Sequence, residues 1–78
     1  MIPPYDETIR LIEKNLPGWM WLLRNDPDGD KGKYFFHLNV GFDGRRSFDY
    51  TFPVWAETPN QAAFEAYCAA CAVVGIPN

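Results

Sequence analysis

Three groups of residues in this chain have types and spacings that could do chemistry. His37, the only histidine, is followed by Ser47 and Asp49, which offer a base, a hydroxyl and a carboxylate. Such a set becomes a hydrolytic triad when the base touches the nucleophile and an oxyanion hole lies beside it. Asp26, Asp28 and Asp30 place carboxylates at alternate positions of a Gly-containing loop. That spacing lets several oxygens converge on one hard cation. Cys68-Ala69-Ala70-Cys71 is a C-x-x-C, the spacing of a redox pair or of half a zinc site.

The elements that must carry these groups argue against each chemistry. Read as a calcium loop from Asp26, the sixth position needs Gly and holds Lys31, and the twelfth needs Glu and holds His37. The flanks read as strands, so a solvated hairpin loop without metal is expected. The two cysteines fall in the second half of a long apolar helix. There the helix dipole cannot lower a thiol pKa, and no two further zinc ligands are at hand. They are expected to be small core residues, and no cofactor is expected.

The third group depends on strand register. Tyr34 to Val40 alternates as a strand, with Tyr34, Phe36, Leu38 and Val40 on one face. Arg46 to Phe52 does the same with Phe48, Tyr50 and Phe52. A two-residue turn at Asp43-Gly44 would set Leu38 beside Asp49, an apolar row beside a polar one. A three-residue loop, Phe42-Asp43-Gly44, pairs Leu38 with Phe48, Phe36 with Tyr50 and Tyr34 with Phe52. It also puts Gly44 where a G1 bulge wants glycine. In that register His37 lies opposite Asp49 on a flat face that also carries Ser47. A flat face supplies no pocket and no nucleophile turn, so a cross-strand polar pair is expected and no enzyme.

Around these strands the sequence reads as helix, three strands, helix. Asp6 to Leu16 carries Ile9, Ile12 and Leu16 on one stripe after Pro3-Pro4, with Asp6 as a candidate cap; Pro17-Gly18 ends it. Trp19 to Arg24 is a first strand, apolar on both faces. Pro53 ends strand three or marks an edge, and 54–57 cross to the second helix. Thr58-Pro59-Asn60-Gln61 is a strong start signal, and Gly75 a stop. Phe64, Tyr67, Cys68, Cys71 and Val74 form the expected core stripe. The fold class expected is therefore α+β: an α-β-β-β-α chain in which a three-stranded antiparallel meander packs against both helices as one domain. Both helices are expected on the face that carries Tyr34, Phe36 and Leu38.

The chain has 78 residues, 47% of them hydrophobic and 17% aromatic, enough apolar area for a small core. Seven basic residues face ten acidic ones, and no Lys or Arg follows Arg46. A clustered basic face, the footprint of nucleic-acid binding, is missing, so no direct nucleic-acid contact is expected; a basic protein surface suits this balance better. No leader and no membrane-length apolar run is read, and two cysteines make no disulfide framework, so the expected place is the cytoplasm. Phe35 shares its face with His37, Asn39 and Asp49. It reads either as an interface anchor or as a residue packed against Met20 and Leu22.

Two resemblances follow. The element order with an Ala-rich last helix resembles a double-stranded-RNA-binding domain. That family places lysines at the start of its last helix, where this chain has Thr58-Pro59-Asn60-Gln61-Ala62-Ala63. The resemblance therefore implies the topology and not the RNA contact. Leu16-Pro17-Gly18-Trp19, the aromatic strand after it, and Glu57-Thr58-Pro59-Asn60-Gln61-Ala62 resemble small phage-encoded α/β sandwich proteins of unknown function; among small acidic phage proteins, anti-CRISPR inhibitors are a prominent class. This resemblance implies a non-catalytic inhibitor that covers the basic nucleic-acid surface of a Cas effector complex. The expected contacts are Asp26, Asp28, Asp30, Phe35, His37 and Asp49. The competing expectation is a phage structural or assembly protein, or a homodimer that buries the second apolar face of strand one.

Overall fold

The computed structural model describes residues 1–39 and 51–75. Its elements are α1 (Tyr5–Asn15), β1 (Met20–Asn25), β2 (Tyr34–Asn39), β3 (Thr51–Ala56) and α2 (Pro59–Val74). The strands form one antiparallel sheet in the order β1-β2-β3. The expected α-β-β-β-α fold is the fold observed.

Helix α1 starts one residue earlier than its sequence signals suggest. Its cap is Pro4, whose carbonyl accepts from the N–H groups of Glu7 (3.1 Å) and Thr8 (3.2 Å), and no side chain caps it. Asp6 is therefore not the cap. It sits in the first turn, where its charge still complements the helix dipole. Helix α2 follows its signals closely. Thr58 Oγ1 accepts from Gln61 N–H at 3.2 Å, Pro59 occupies the first turn, and Gly75 ends the helix at φ 79°. The Gln61 side chain does not close a capping box. It donates instead to Glu65 Oε2, one turn on, at 2.7 Å.

The core lies between one face of the sheet and the two helices. Phe36 and Leu38 from β2 are fully buried against α2, which presents Ala62, Ala63, Ala66 and Ala70. Four alanines on one side of a helix let its axis approach the sheet closely. Helix α1 packs against α2 and reaches the same sheet face, where the Tyr5 ring meets Phe36 edge-on at 6.3 Å. Both helices thus share one face. The Trp19 and Phe52 rings stack at 6.0 Å across the far end. Val74, read from the sequence as core, is 39% exposed, in a last turn whose residues Val73 and Val74 are both exposed.

The pairing of β2 with β3 differs from the sequence-based register. Leu38 pairs with Phe52, Phe36 with Val54 and Tyr34 with Ala56. The shift is even-numbered, so every side chain keeps its face and the apolar row stays apolar. Period-two alternation distinguishes odd shifts from even ones, but not one even shift from another. Strand β3 runs through Pro53 to Ala56, so residues 54–56 are not a crossover. It can do so because β3 is an edge strand, where a residue without an N–H is tolerated. Gly44 and the expected Phe42-Asp43-Gly44 turn lie outside the described residues.

Candidate functional site

The two faces of the sheet are unequal. Alternate residues point away from the helices: Met20, Leu22 and Arg24 on β1, Phe35, His37 and Asn39 on β2, and Thr51, Pro53 and Trp55 on β3. No helix covers them among the described residues. Cross-strand pairing sets them in three rows: Met20-Asn39-Thr51, Leu22-His37-Pro53 and Arg24-Phe35-Trp55.

The last row is the chemical centre of the face. The Phe35 and Trp55 rings lie 4.6 Å apart with planes inclined at 41°, and the His37 ring lies 5.9 Å from Phe35. The Arg24 guanidinium carbon lies 5.3 Å from the centre of the Phe35 ring, within cation–π range. Phe35 and Trp55 are half-buried by each other and their neighbours, not by a covering layer. Beside them Met20 and Leu22 are 53% and 52% exposed. The anchor reading of Phe35 and the packed reading therefore divide. Its β1 neighbour is Arg24, laid over its ring, while Met20 and Leu22 belong to other rows and face solvent.

The register gives His37 other cross-strand neighbours than the one expected. Pro53 stands opposite it on β3 and Leu22 on β1, and neither side chain can exchange a proton. The expected pairing of His37 with Asp49 is thereby replaced; Asp49 and Ser47 themselves lie outside the described residues. His37 is a half-buried member of the aromatic face.

The acidic loop closes β1 onto β2 at the same end of the sheet as the Arg24-Phe35-Trp55 row. Asp26 N–H donates to the Lys33 carbonyl at 2.7 Å, and Gly29 N–H to the Asp26 carbonyl at 3.0 Å. Gly32, at φ 141°, lies so close to β3 that a Cβ there would stand 2.8 Å from Ala56 N. The loop is thus pinned to β3 as well as to its own strands. Asp28 and Asp30 are exposed and Asp26 is half-buried, with Glu57 exposed just beyond β3. Asp26, Asp28 and Asp30 share the loop with Lys31 and Lys33. Among the described residues, no three His, Cys, Asp or Glu side chains are grouped to hold a metal ion.

Cys68 and Cys71 are thiols on the inner side of α2, Cys71 buried and Cys68 half-buried. Cys71 lies beside the Tyr67 hydroxyl. Burial pushes that hydroxyl's pKa up, while the hydrogen bond from Asn15 pulls it down. Both cysteines sit well inside α2, away from its N-terminus.

Sequence reasoning found Phe35 and His37 but missed Trp55 and Arg24. The missed signal was the alternation Thr51, Pro53, Trp55 against Phe52, Val54, Ala56, which continues through the proline. No helix among the described residues is long and apolar enough to cross a membrane. No protein-family model, curated protein or solved structure matches the chain.

Proposed function

We propose that the protein is a non-catalytic binding domain that grips another protein through the helix-free face of its sheet. The observation that carries this reading is the Arg24-Phe35-Trp55 row: two aromatic rings in contact and a guanidinium laid over one of them, with exposed Met20 and Leu22 alongside. Trp, Phe, Met and Arg are the residues enriched in the energetic centres of protein interfaces, and together they give an apolar centre that water leaves on docking.

The rim of that face favours a basic partner. Asp26, Asp28 and Asp30 on the pinned loop, with Glu57 beside them, outnumber Lys31 and Lys33. The chain as a whole is at −3. An aromatic sheet face can also stack single-stranded bases, but that mode works with a positively charged groove, which this charge balance does not favour. The partner we propose is a protein complex whose basic surface handles nucleic acid, with a CRISPR effector complex as the specific instance. The protein would act there as an inhibitor by occupying the surface.

The test is binding of the purified protein to purified effector complexes at low and high salt. Salt-sensitive binding is expected, weakened at least about thirtyfold by Trp55→Ala. It is also expected to weaken when Asp26, Asp28 and Asp30 are all changed to Lys. Arg24→Glu, at an exposed position, repeats the test of the face without touching the core. If no effector complex binds at low salt, the partner class is wrong. Binding that ignores both Trp55→Ala and Arg24→Glu removes the face from the mechanism.

A further inference from the structure

The sheet has two edges, and they differ in kind. Strand β3 carries Pro53, which has no N–H to offer a further strand. Strand β1 has no proline, and among the described residues its backbone from Met20 to Asn25 is paired with β2 alone. Its side chains are as unusual as its backbone. Met20, Trp21 and Leu22 are 53%, 37% and 52% exposed, three consecutive large apolar residues that look out from both faces of one strand. Natural edges are ordinarily blunted by charge, proline, a bulge or a cover. Here only Arg24 does so.

We infer that β1 pairs with β1 of a second copy, antiparallel and about a two-fold axis, to make one six-stranded sheet. Residues opposite each other in an antiparallel pair share a face, so a symmetric register must match even positions with even and odd with odd. Centred on Leu22, it sets Leu22 against Leu22 of the second copy, Trp21 against Leu23 and Met20 against Arg24. The first two matches are apolar against apolar, and the third lays a thioether along an arginine stem. On the helix side, a groove beside β1 is lined by Tyr5, Asp6, Ile9, Arg10, Glu13 and Trp21. Its charged rim runs acid, base, acid along α1. Where the two-fold axis passes between Arg10 and either neighbouring acid, each Arg10 meets an acid of the second copy, and the two contacts are reciprocal. This self-complementarity in both apolar contacts and charge is what selects a second copy over a foreign extended segment. The Phe35–Trp55 pair lies on β2 and β3, so pairing through β1 leaves that contact in place and presents it twice.

Sedimentation equilibrium of the full chain tests the idea, with Leu22→Lys and Leu22→Glu as variants at an exposed site. The unmodified protein is expected to form a dimer. Each variant alone is expected to lose at least about tenfold in association constant, since like charges stand directly opposite. An equimolar mixture of the two variants is expected to regain the dimer, which neither misfolding nor a general loss of apolar surface would allow. A monomer at the highest soluble concentration overturns the inference. So does a dimer indifferent to both substitutions, or a mixture that stays monomeric. Partner binding by a protein that sediments as a monomer would leave the binding face standing and remove the dimer alone.

Discussion

Asn15 Nδ2 donates to Tyr67 Oη at 2.7 Å, tying the last turn of α1 to the middle of α2 across 52 residues of chain. Tyr67 is the largest fully buried side chain among the described residues. Its hydroxyl is thus the polar end of a ring otherwise committed to the core. The bond adds a directional polar contact to the packing of α1 on α2, where Ile12 and Leu16 share the core cluster with Ala66, Tyr67 and Ala70.

Tyr67→Phe keeps the ring and removes the acceptor, leaving a part-buried amide N–H unpaired. The expected cost is about 1–2 kcal/mol, seen as a fall in thermal midpoint of about 4–8 °C for each kcal/mol at this size. A double-mutant cycle with Asn15→Ala should return a coupling of about 1 kcal/mol. A coupling near zero would mean that the bond contributes nothing to stability.

The same tyrosine should make the fold sensitive to alkali. Burial raises the Tyr67 pKa above the ordinary value of 10.0, and Tyr5 moves the same way through its own burial. The folded state therefore holds these phenolic protons after the unfolded chain has released them. Stability from this source is complete below the unfolded value and is lost as pH rises from there through the folded value. Urea midpoints measured upward from neutral pH should decline once pH passes about 10, and less steeply in Tyr67→Phe. Equal slopes for the two proteins would contradict the assignment.

Thr8 is the single buried polar side chain among the described residues whose oxygen finds no partner. Thr8→Val keeps the shape and deletes the stranded hydroxyl. It should stabilise the protein by about 1 kcal/mol in chemical denaturation. Thr8→Ala, which also empties volume, should not. A loss of stability in Thr8→Val would show that the hydroxyl is satisfied in solution.

Two glycines at positive φ separate conformational cost from collision. A Cβ on Gly18, at φ 86°, meets nothing within 4 Å, so Gly18→Ala should cost only the left-handed penalty, about 1–2 kcal/mol. A Cβ on Gly32 stands 2.8 Å from Ala56 N and 2.9 Å from Ala56 O, both backbone atoms of β3. Gly32→Ala should therefore cost clearly more than Gly18→Ala, with the excess set by how far the loop must move off β3. Parallel urea titrations of the two variants rank them directly.

What was legible in the sequence follows from how local its cause is. Helix α2 begins and ends where Thr58, Pro59 and Gly75 say it should, because caps act over three or four residues. The inward face of β2 was legible because alternation within one strand is also local. The β2–β3 register was not. Phe48-Tyr50-Phe52 and Phe52-Val54-Ala56 are both apolar rows of the same parity, and choosing between them depends on tertiary contacts such as the Trp19–Phe52 stack. That choice decided the site, since it moved Trp55 beside Phe35 and put Pro53 where Asp49 was expected. Thr8 was invisible for another reason: it reads as polar, and nothing in its neighbourhood announces that α1 turns it inward.

The inequality of the two sheet edges has a consequence for growth. A strand-pairing module with two adhesive edges has a valence of two and can polymerise without limit, which is the route to fibres. Here one edge is sealed by Pro53, so the valence is one. Any copy that adds through β1 uses up the reactive edge of both molecules and leaves proline-bearing strands on the outside. Association should saturate smoothly with concentration, with no lag phase and no seeding by preformed aggregates.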